Sequence, residues 1–588
     1  MCGIFGYKGY RDNSVQLVIK GLQKLEYRGY DSWGVATEIN NELYIHKKVG
    51  KVSEAKLEDF ADKKSHLAMG HTRWATHGGV TDVNAHPHFS HCKTVAVVHN
   101  GIIENYEELR KELGEDKFIS DTDTEVIPQL IAKFRHEGQP FKEAVLSAIN
   151  KLKGRYAIVV TNVGEDYLIA ARRGSPLILG VGKDEYFLAS DIPAFLEYTQ
   201  DVMYLDDNEM VIIDGGVTFM NLETGDEIEK RLINIDWKSE SADKGEYDHF
   251  MLKEIMEQKE TIQAALNQDI EEIKKIAKTI KESRGCFLSG CGTAGKVCMA
   301  GEYFFSIIAH RHVNFAPSSE FPIYHHFLKP ESLLIVVSQS GETADVLEAM
   351  EVAKKKGAKV LSLVNVEGST IARNSDFSLF INAGPEKAVA STKAATSQMA
   401  LFLLIACAMV DELDEGRQLL AEVASKINDM LNPRILSYLK TVAKSIKDHE
   451  NAYIIGKAQN YPMALEAAIK IQEVSYIHAE GFAAGELKHG PIALITEGTP
   501  CISLVANDEV KQDVINNKIE LKARGAYIIG ISPERHDSFD EWIKVPDVGI
   551  ASPLVNIIPL QLLAYYIAVE RGLDPDMPRN LAKSVTVK

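Results

Sequence analysis

The sequence predicts an α+β layered domain followed by two copies of a parallel α/β unit, and three features predict it. The first 218 or so residues carry many short β-rich runs with helical stretches between them, as in Val95-Ala96-Val97-Val98 and Tyr156-Ala157-Ile158-Val159-Val160. From about residue 276 the pattern becomes strand, glycine turn and helix, repeated. That part occurs twice: Phe287-Leu288-Ser289-Gly290 resembles Tyr453-Ile454-Ile455-Gly456, an offset of 166, and LLIVVSQSGE followed by KKKGAKVLSLV parallels CISLVANDEV followed by KARGAYIIGIS, where Gly357 and Gly525 differ by 168. Two offsets that nearly agree point to duplication, against the alternative of chance likeness between generic βα units.

A chain of 588 residues exceeds one core, so about three or four domains are expected. Hydrophobic content of 45% and charged content of 25% are those of an ordinary globular protein. The net charge of -18 disfavours non-specific binding to nucleic acid or an anionic membrane, while leaving room for a local basic site that holds a phosphate. Small molecules are the expected partners. Seven cysteines (2, 92, 286, 291, 298, 407 and 501) form an odd set with no CxxC pair, which reads as reduced thiols and a cytoplasmic location. No signal-like segment follows Met1, and the longest apolar run, Met399 to Val410, falls short of the roughly 18 residues that span a bilayer and reads as a buried helix. The polar, acid-rich stretch DWKSESADKGEYD from Asp236 to Asp248 suggests a boundary or an exposed connection.

The chain opens Met1-Cys2-Gly3-Ile4-Phe5-Gly6. Removal of Met1 would leave a thiol and a free α-amine on one residue, a nucleophile with its own base, since an α-amine titrates at roughly 7.7 to 8.0. The plainer reading is an ordinary N-terminal cysteine. Later, the apolar run Leu333 to Val337 fits a strand buried on both faces. After Ser338-Gln339-Ser340-Gly341-Glu342-Thr343 comes a helix with Val346, Leu347, Met350 and Ala353 on one stripe and Gly357 at its C-cap. Hydroxyls and backbone N–H groups crowded at a helix N-terminus suit a phosphate. Plain N-capping by Ser is the alternative, which one hydroxyl would satisfy. The second copy carries Ala506-Asn507-Asp508-Glu509 in that place, so its loop is expected to repel phosphate.

Glu466, Lys470 and Glu473 fall on one helix face. They are either a solvated salt-bridge stripe or, given the apolar Ala464, Leu465, Ala467, Ala468 and Ile469 between them, charges directed into a cleft. The turn Gly485-Glu486-Leu487-Lys488-His489-Gly490-Pro491 offers a histidine suited to proton transfer, or one that is merely exposed. The final nine residues, from Asn580 to Lys588, read as a frayed tail or as a carrier of a lysine that swings over a site.

Together the segments CGIFGY, LEYRGYDS, HTRWATHG, NAHPH, VVHNGIIENY, DTDTEV, SQSGETAD, VASTKA, YIHAEGFAAGELKHGP and PRNLAKSVTV resemble the glutamine-fructose-6-phosphate transaminase (isomerizing), or glucosamine-6-phosphate synthase, family from end to end. The resemblance implies an α+β N-terminal-nucleophile (αββα) glutaminase domain, residues 2–218, followed by a connecting segment and helical lead-in at 219–275. Two α/β three-layer sugar isomerase (SIS) domains then span 276–416 and 443–579, and a catalytic tail spans 580–588. The implied reaction converts fructose 6-phosphate and glutamine to glucosamine 6-phosphate and glutamate, at the start of amino-sugar synthesis, in a cytoplasmic homodimer with no metal or other cofactor.

By the same resemblance, Cys2 attacks the glutamine amide while its α-amine handles the proton, and Asn100 and Gly101 form the oxyanion hole. Arg73 holds the substrate carboxylate, Asp123 its α-ammonium, and Thr76 and His86 line the glutamine site. Trp74 gates the ammonia, which passes internally to the sugar site. Gly292, Thr293, Ser338, Gln339, Ser340, Thr343, Val389, Ser391 and Ala582 bind the sugar phosphate. Lys583 forms the fructose imine, His489 assists ring opening, and Glu473, with Lys470 nearby, moves the proton between C1 and C2.

Two positions depart from the family: Ala294 stands where a serine is usual, and Trp33 replaces a small residue in YDSWG. His71, His77, His86, His88, His91, Cys92 and His99 carry zinc-ligand chemistry but no standard zinc spacing. The competing readings are an amidotransferase acting on a different phosphorylated keto sugar and a silent sugar-phosphate sensor. A sensor would be expected to lack Cys2, Glu473 or Lys583, and all three are present. No long insertion separates the glutaminase and isomerase parts, as in the shorter prokaryotic form, for which nucleotide-sugar feedback is less expected.

Overall fold

A computed structural model describes residues 2–235 and 244–586. Met1 and most of the stretch from 236 to 248 read as a boundary lie outside the described residues. The chain divides into two compact units, one of residues 1–241 with 582–588 and one of residues 242–581.

The first unit holds two antiparallel sheets of eight and seven strands. Their strands read as near-continuous apolar runs because both faces are covered. Alternate side chains serve different cores: Ile4, Met69, Val98, Ala157 and Leu188 fill the space between the sheets. Phe5, Tyr7, Val35 and Phe187 face outward and pack with Val15, Val18 and Leu22 of the helix Ser14–Lys24. On the far side Val95, Val97, Ile158 and Val160 pack with the helices Val126–His136 and Phe141–Ile149. The result is an αββα stack.

The first unit's sheets continue past the expected boundary at 218. Val217–Asn221 and Glu227–Ile228 extend the seven-stranded sheet, and Ile233–Asn234 pairs with Asp201–Tyr204 in the other. Two-residue strands are too short to show the alternation from which strands are read in sequence.

The second unit contains two parallel five-stranded sheets. Across the first, the order is Asn314–Phe315, Cys286–Ser289, Leu333–Ser338, Lys359–Val364 and Phe377–Phe380. Across the second it is His478–Ala483, Asn451–Gly456, Pro500–Leu504, Tyr527–Ser532 and Glu541–Lys544. Numbered along the chain, both follow the order 2-1-3-4-5, so the duplication inferred from the glycine offsets is a duplication of topology. A single apolar core joins the halves, from Leu288 and Ile335 of one sheet to Ile454 and Ile502 of the other.

The expected buried helix spans Lys393–Met409, with every residue buried. A longer apolar helix has its run broken in sequence by polar residues. The helical segment Gly549–Glu570 is apolar and long enough to cross a membrane by length and composition, and 89% of its apolar window is buried inside the protein. Polar Asn556 and Gln561 interrupt its apolar run yet are themselves buried and hydrogen-bonded, to Asn460 and Gln258. All seven cysteines are free.

Candidate active sites

In the first unit, strand alternation carries a set of polar side chains to one end of the space between the sheets. Ile4 pairs with His71 across neighbouring strands, so Cys2, His71 and Arg73 follow the inward-facing positions of their strands. Asn100 and Ser190 do the same, two residues beyond inward-facing Val98 and Leu188. Asn100 bridges the two sheets: its Nδ2 donates to the Cys2 carbonyl at 3.0 Å and to Ser190 Oγ at 2.8 Å. Ser190 Oγ also accepts the Ile4 N–H at 2.9 Å.

The Cys2 thiol lies against the Trp74 backbone, accepting its N–H at 3.3 Å and donating to its carbonyl at 3.5 Å. Burial pushes the thiol pKa up, while the Trp74 backbone and the Arg73 guanidinium pull it back. A thiol so placed is protonated at neutral pH and needs a base. The α-amine proposed for that task belongs to Cys2 only once Met1 is gone, a point outside the described residues.

The Arg73 guanidinium is 2% exposed and donates to the carbonyls of His77, Gly78 and Gly79 at 2.5, 3.1 and 3.0 Å. Its fork is thus engaged by the loop that carries Thr76, which is itself exposed. Asp123 is buried and accepts the Ile103 N–H at 2.7 Å. His86 Nε2 pairs with Thr124 Oγ1 at 2.9 Å. Gly101 has φ +124, and a Cβ there would stand 2.0 Å from the Arg155 carbonyl, so only glycine fits.

The histidines considered for zinc are dispersed in role. His71, His86, His88 and His99 are buried and held neutral, burial being the largest cause of each lowered pKa. Among the described residues no His, Cys, Asp and Glu cluster fits a metal ion. Trp33 faces away from the site, into the outer core, where its ring packs 5.1 Å from His46 and 6.3 Å from Phe60.

In the second unit the serine-rich turn follows the strand Leu333–Ser338, and Gly290 and Cys291, leading into the helix Gly292–Ile307, follow its sheet neighbour Cys286–Ser289. These are the carboxyl ends of strands 1 and 3 in the 2-1-3-4-5 order, the switch point where such sheets open a crevice. The helix Ala344–Lys355 has Thr343 at its N-cap, and the Thr343 side chain makes no capping hydrogen bond to the helix. Ordinary serine capping therefore does not account for the cluster. Ser338 Oγ instead pairs with Thr343 Oγ1 at 3.1 Å and accepts the Gly341 N–H at 3.1 Å, while Ser340 Oγ accepts the Glu342 N–H at 3.2 Å. In the second copy, Asp508 occupies that place and accepts from Gln459 at 3.0 Å.

Glu466, Lys470 and Glu473 are not a solvated stripe. Lys470 is fully buried, 2.5 Å from Glu473 and 3.4 Å from Glu466. Thr293 Oγ1, in the first turn of the helix Gly292–Ile307 of the first α/β half, donates to Glu466 Oε1 at 3.0 Å and so ties that helix end to the cluster. Burial raises the Glu466 carboxyl to about 7 despite the Lys470 ammonium. The two carboxylates in turn hold the Lys470 ammonium charged, above its usual range.

Ser391 donates to Glu386 at 2.9 Å, and Val389 N–H to the Asp576 carbonyl at 3.0 Å. His489 is exposed on the short turn Glu486–His489, and among the described residues no hydrogen bond joins it to the Lys470 cluster. Ala582 and Lys583 belong to the tail segment that groups with the first unit. Nothing local in the sequence marks Ser190, the bond between Glu466 and Thr293, or Glu386, which accepts the Thr392 and Ala394 N–H groups at 2.8 and 3.1 Å.

Comparison with known proteins settles the family. The SIS domain family matches residues 279–408 and 445–571, and the glutamine amidotransferase domain family matches residues 71–197. The chain is 42% identical to the glutamine–fructose-6-phosphate aminotransferase [isomerizing] of Thermococcus kodakarensis and 43% identical to that of Aquifex aeolicus, over all of both chains in each case. The chain belongs to the glutamine–fructose-6-phosphate aminotransferase (isomerizing) family. The solved C-terminal domain of the glucosamine-fructose-6-phosphate aminotransferase from Francisella tularensis, 31% identical, aligns with 57% of this chain and 100% of its own at a TM-score of 0.54.

Proposed function

We propose that this chain is a cytoplasmic enzyme that converts glutamine and fructose 6-phosphate to glutamate and glucosamine 6-phosphate, the opening step of amino-sugar synthesis, and that it works as a homodimer. The observation that carries the reading is the presence, in one member of this family, of two chemically unlike sites. One is the Cys2 thiol against the Trp74 backbone with Asn100 on the Cys2 carbonyl, and the other is the carboxylate–ammonium cluster bound by Thr293 from the first α/β half.

In the first site, Cys2 Sγ adds to the glutamine amide carbon and its proton passes through the α-amine to the departing ammonia. Water then cleaves the thioester to release glutamate. Asn100 and Gly101 donate to the tetrahedral oxyanion, Arg73 and Asp123 hold the amino-acid end alongside Thr76 and His86, and Trp74 gates the ammonia toward the sugar. In the second site, Ser338, Gln339, Ser340 and Thr343 bind the phosphate, with Gly292, Thr293, Val389, Ser391 and Ala582 around the sugar. His489 assists ring opening. The amine of Lys583 condenses with the C2 carbonyl, releasing water, and ammonia then displaces the lysine. Glu473 takes the proton from C1 and returns it to C2, with Lys470 holding that carboxylate in place.

The test is to incubate the purified full chain with both substrates and measure glutamate and glucosamine 6-phosphate together. Equimolar products are expected, and glutamate without amino sugar would overturn the acceptor assignment. Light scattering should give twice the chain mass.

A further inference from the structure

His71 is wholly buried on the strand Leu67–Arg73 and touches neither Cys2 nor any residue assigned to the substrate by hydrogen bond except one. Its Nε2 lies 2.9 Å from the His99 backbone carbonyl and 3.0 Å from Asn100 Oδ1. A backbone carbonyl only accepts, so Nε2 carries the proton, and a neutral ring then leaves Nδ1 bare. Nδ1 has no hydrogen-bond partner among the described residues. Burial holds the ring neutral, with a pKa lowered to about 3. The ring plane is set by His86, whose ring centroid lies 4.1 Å away.

The far end of the Asn100 amide is fixed in the same way. It lies 3.0 Å from the Cys2 backbone carbonyl, again an acceptor only, which requires Nδ2 there. Turning the amide over would face donor to donor at His71 and acceptor to acceptor at Cys2. Of the two Nδ2 hydrogens, one is held by Ser190 Oγ and the other is directed at the residue that bears the nucleophile.

We propose that His71 is a positioning residue for glutamine cleavage, whose single Nε2 proton fixes the Asn100 amide with Nδ2 on the Cys2 side, where the hydrogen now on the Cys2 carbonyl turns to the oxyanion formed when Cys2 attacks the amide. This rests on the reading above that Asn100 donates to the oxyanion. A displaced donor loses stabilisation that exists only in the transition state, so the effect falls on kcat and not on glutamine binding.

The experiment uses the full chain with glutaminase kinetics for His71→Met, which keeps bulk but has no donor, His71→Gln, whose amide can donate to the same two acceptors, and Asn100→Ala. Loss of an oxyanion donor costs about 100- to 1,000-fold in kcat. His71→Met is expected to lose kcat on that scale with glutamine KM within about twofold of the parent. His71→Gln is expected to recover at least about tenfold of that loss, and Asn100→Ala combined with His71→Met to be no slower than Asn100→Ala alone, as for residues that act as one unit. A fully active His71→Met variant overturns the proposal, as does equal loss in the Met and Gln variants. If His71→Met does not fold, the Gln variant decides: kcat within about tenfold of the parent supports the assignment, and a larger loss at unchanged KM overturns it. If Asn100→Ala keeps full kcat, the oxyanion reading itself is wrong, a separate outcome from a failure at His71.

Discussion

Replacing Lys470 with Met removes the ammonium that pairs with Glu466 and Glu473 and leaves the side-chain bulk nearly unchanged. Glu466 then has Oε1 held by Thr293, Oε2 with no partner among the described residues, and no compensating charge. In the parent, burial already raises the Glu466 carboxyl from 4.5 to about 7, equivalent to roughly 3 kcal/mol against its ionised form. The sign follows from that direction. A carboxyl raised on folding contributes stability that is complete below its unfolded value of 4.5 and is lost as pH climbs through its folded value, so the parent's loss is complete just above pH 7. Lys470, raised above 10.5, keeps its contribution throughout that range.

Without the ammonium, Glu466 shifts further upward and its loss continues beyond pH 7. Removing one partner of a buried pair costs about 3 to 5 kcal/mol when the other stays charged, and much less where Glu466 can take up a proton. The parent's loss is complete near pH 7, while the variant's carboxyl goes on losing about 1.4 kcal/mol per pH unit, so Lys470→Met should cost the second unit more at pH 8.5 than at pH 6, by up to about 2 kcal/mol. Urea unfolding followed at both pH values measures the difference. An equal difference at pH 6 and pH 8.5 would refute the view that an unpaired Glu466 carboxylate is the cost.

Three further outcomes follow from the first unit. Gly101→Ala should destabilise that unit by roughly 3 kcal/mol or more, since the new Cβ meets the Arg155 carbonyl in a backbone conformation few residues adopt; a lowered melting temperature and lost glutamine hydrolysis would register it. Trp33→Ala should cost about 3 to 5 kcal/mol through the cavity left beside His46 and Phe60, while the glutamine KM stays within about twofold, because the ring lies in the outer core and not in the site. Cys2→Ala should abolish glutamine hydrolysis yet spare isomerisation of fructose 6-phosphate; loss of both activities would argue against separable sites.

The sequence by itself determined the duplicated α/β units, the layered first domain and the groups that carry chemistry. Each is written locally: strand runs, glycine turns and the serine-rich turn lie within windows of a dozen residues, where periodicity and composition can be read. Tertiary structure decided how those groups combine. Asn100 meets Cys2 across 98 residues and Thr293 meets Glu466 across 173, separations over which no local pattern carries information. It also decided between readings that sequence left balanced. The Glu466–Lys470–Glu473 face looks the same on a solvated helix and a buried one, and only the surrounding core excludes water from Lys470. Trp33 is a departure in sequence, but its effect depends on which side of the sheet it occupies, and that is fixed by its register with Thr72 and Lys48 on the neighbouring strands. Cys2 announces a nucleophile from the second position of the chain. The end of the sheet sandwich surrounds it with Asn100, Ser190 and the Trp74 backbone, because inward-facing positions on several strands run out at the same edge.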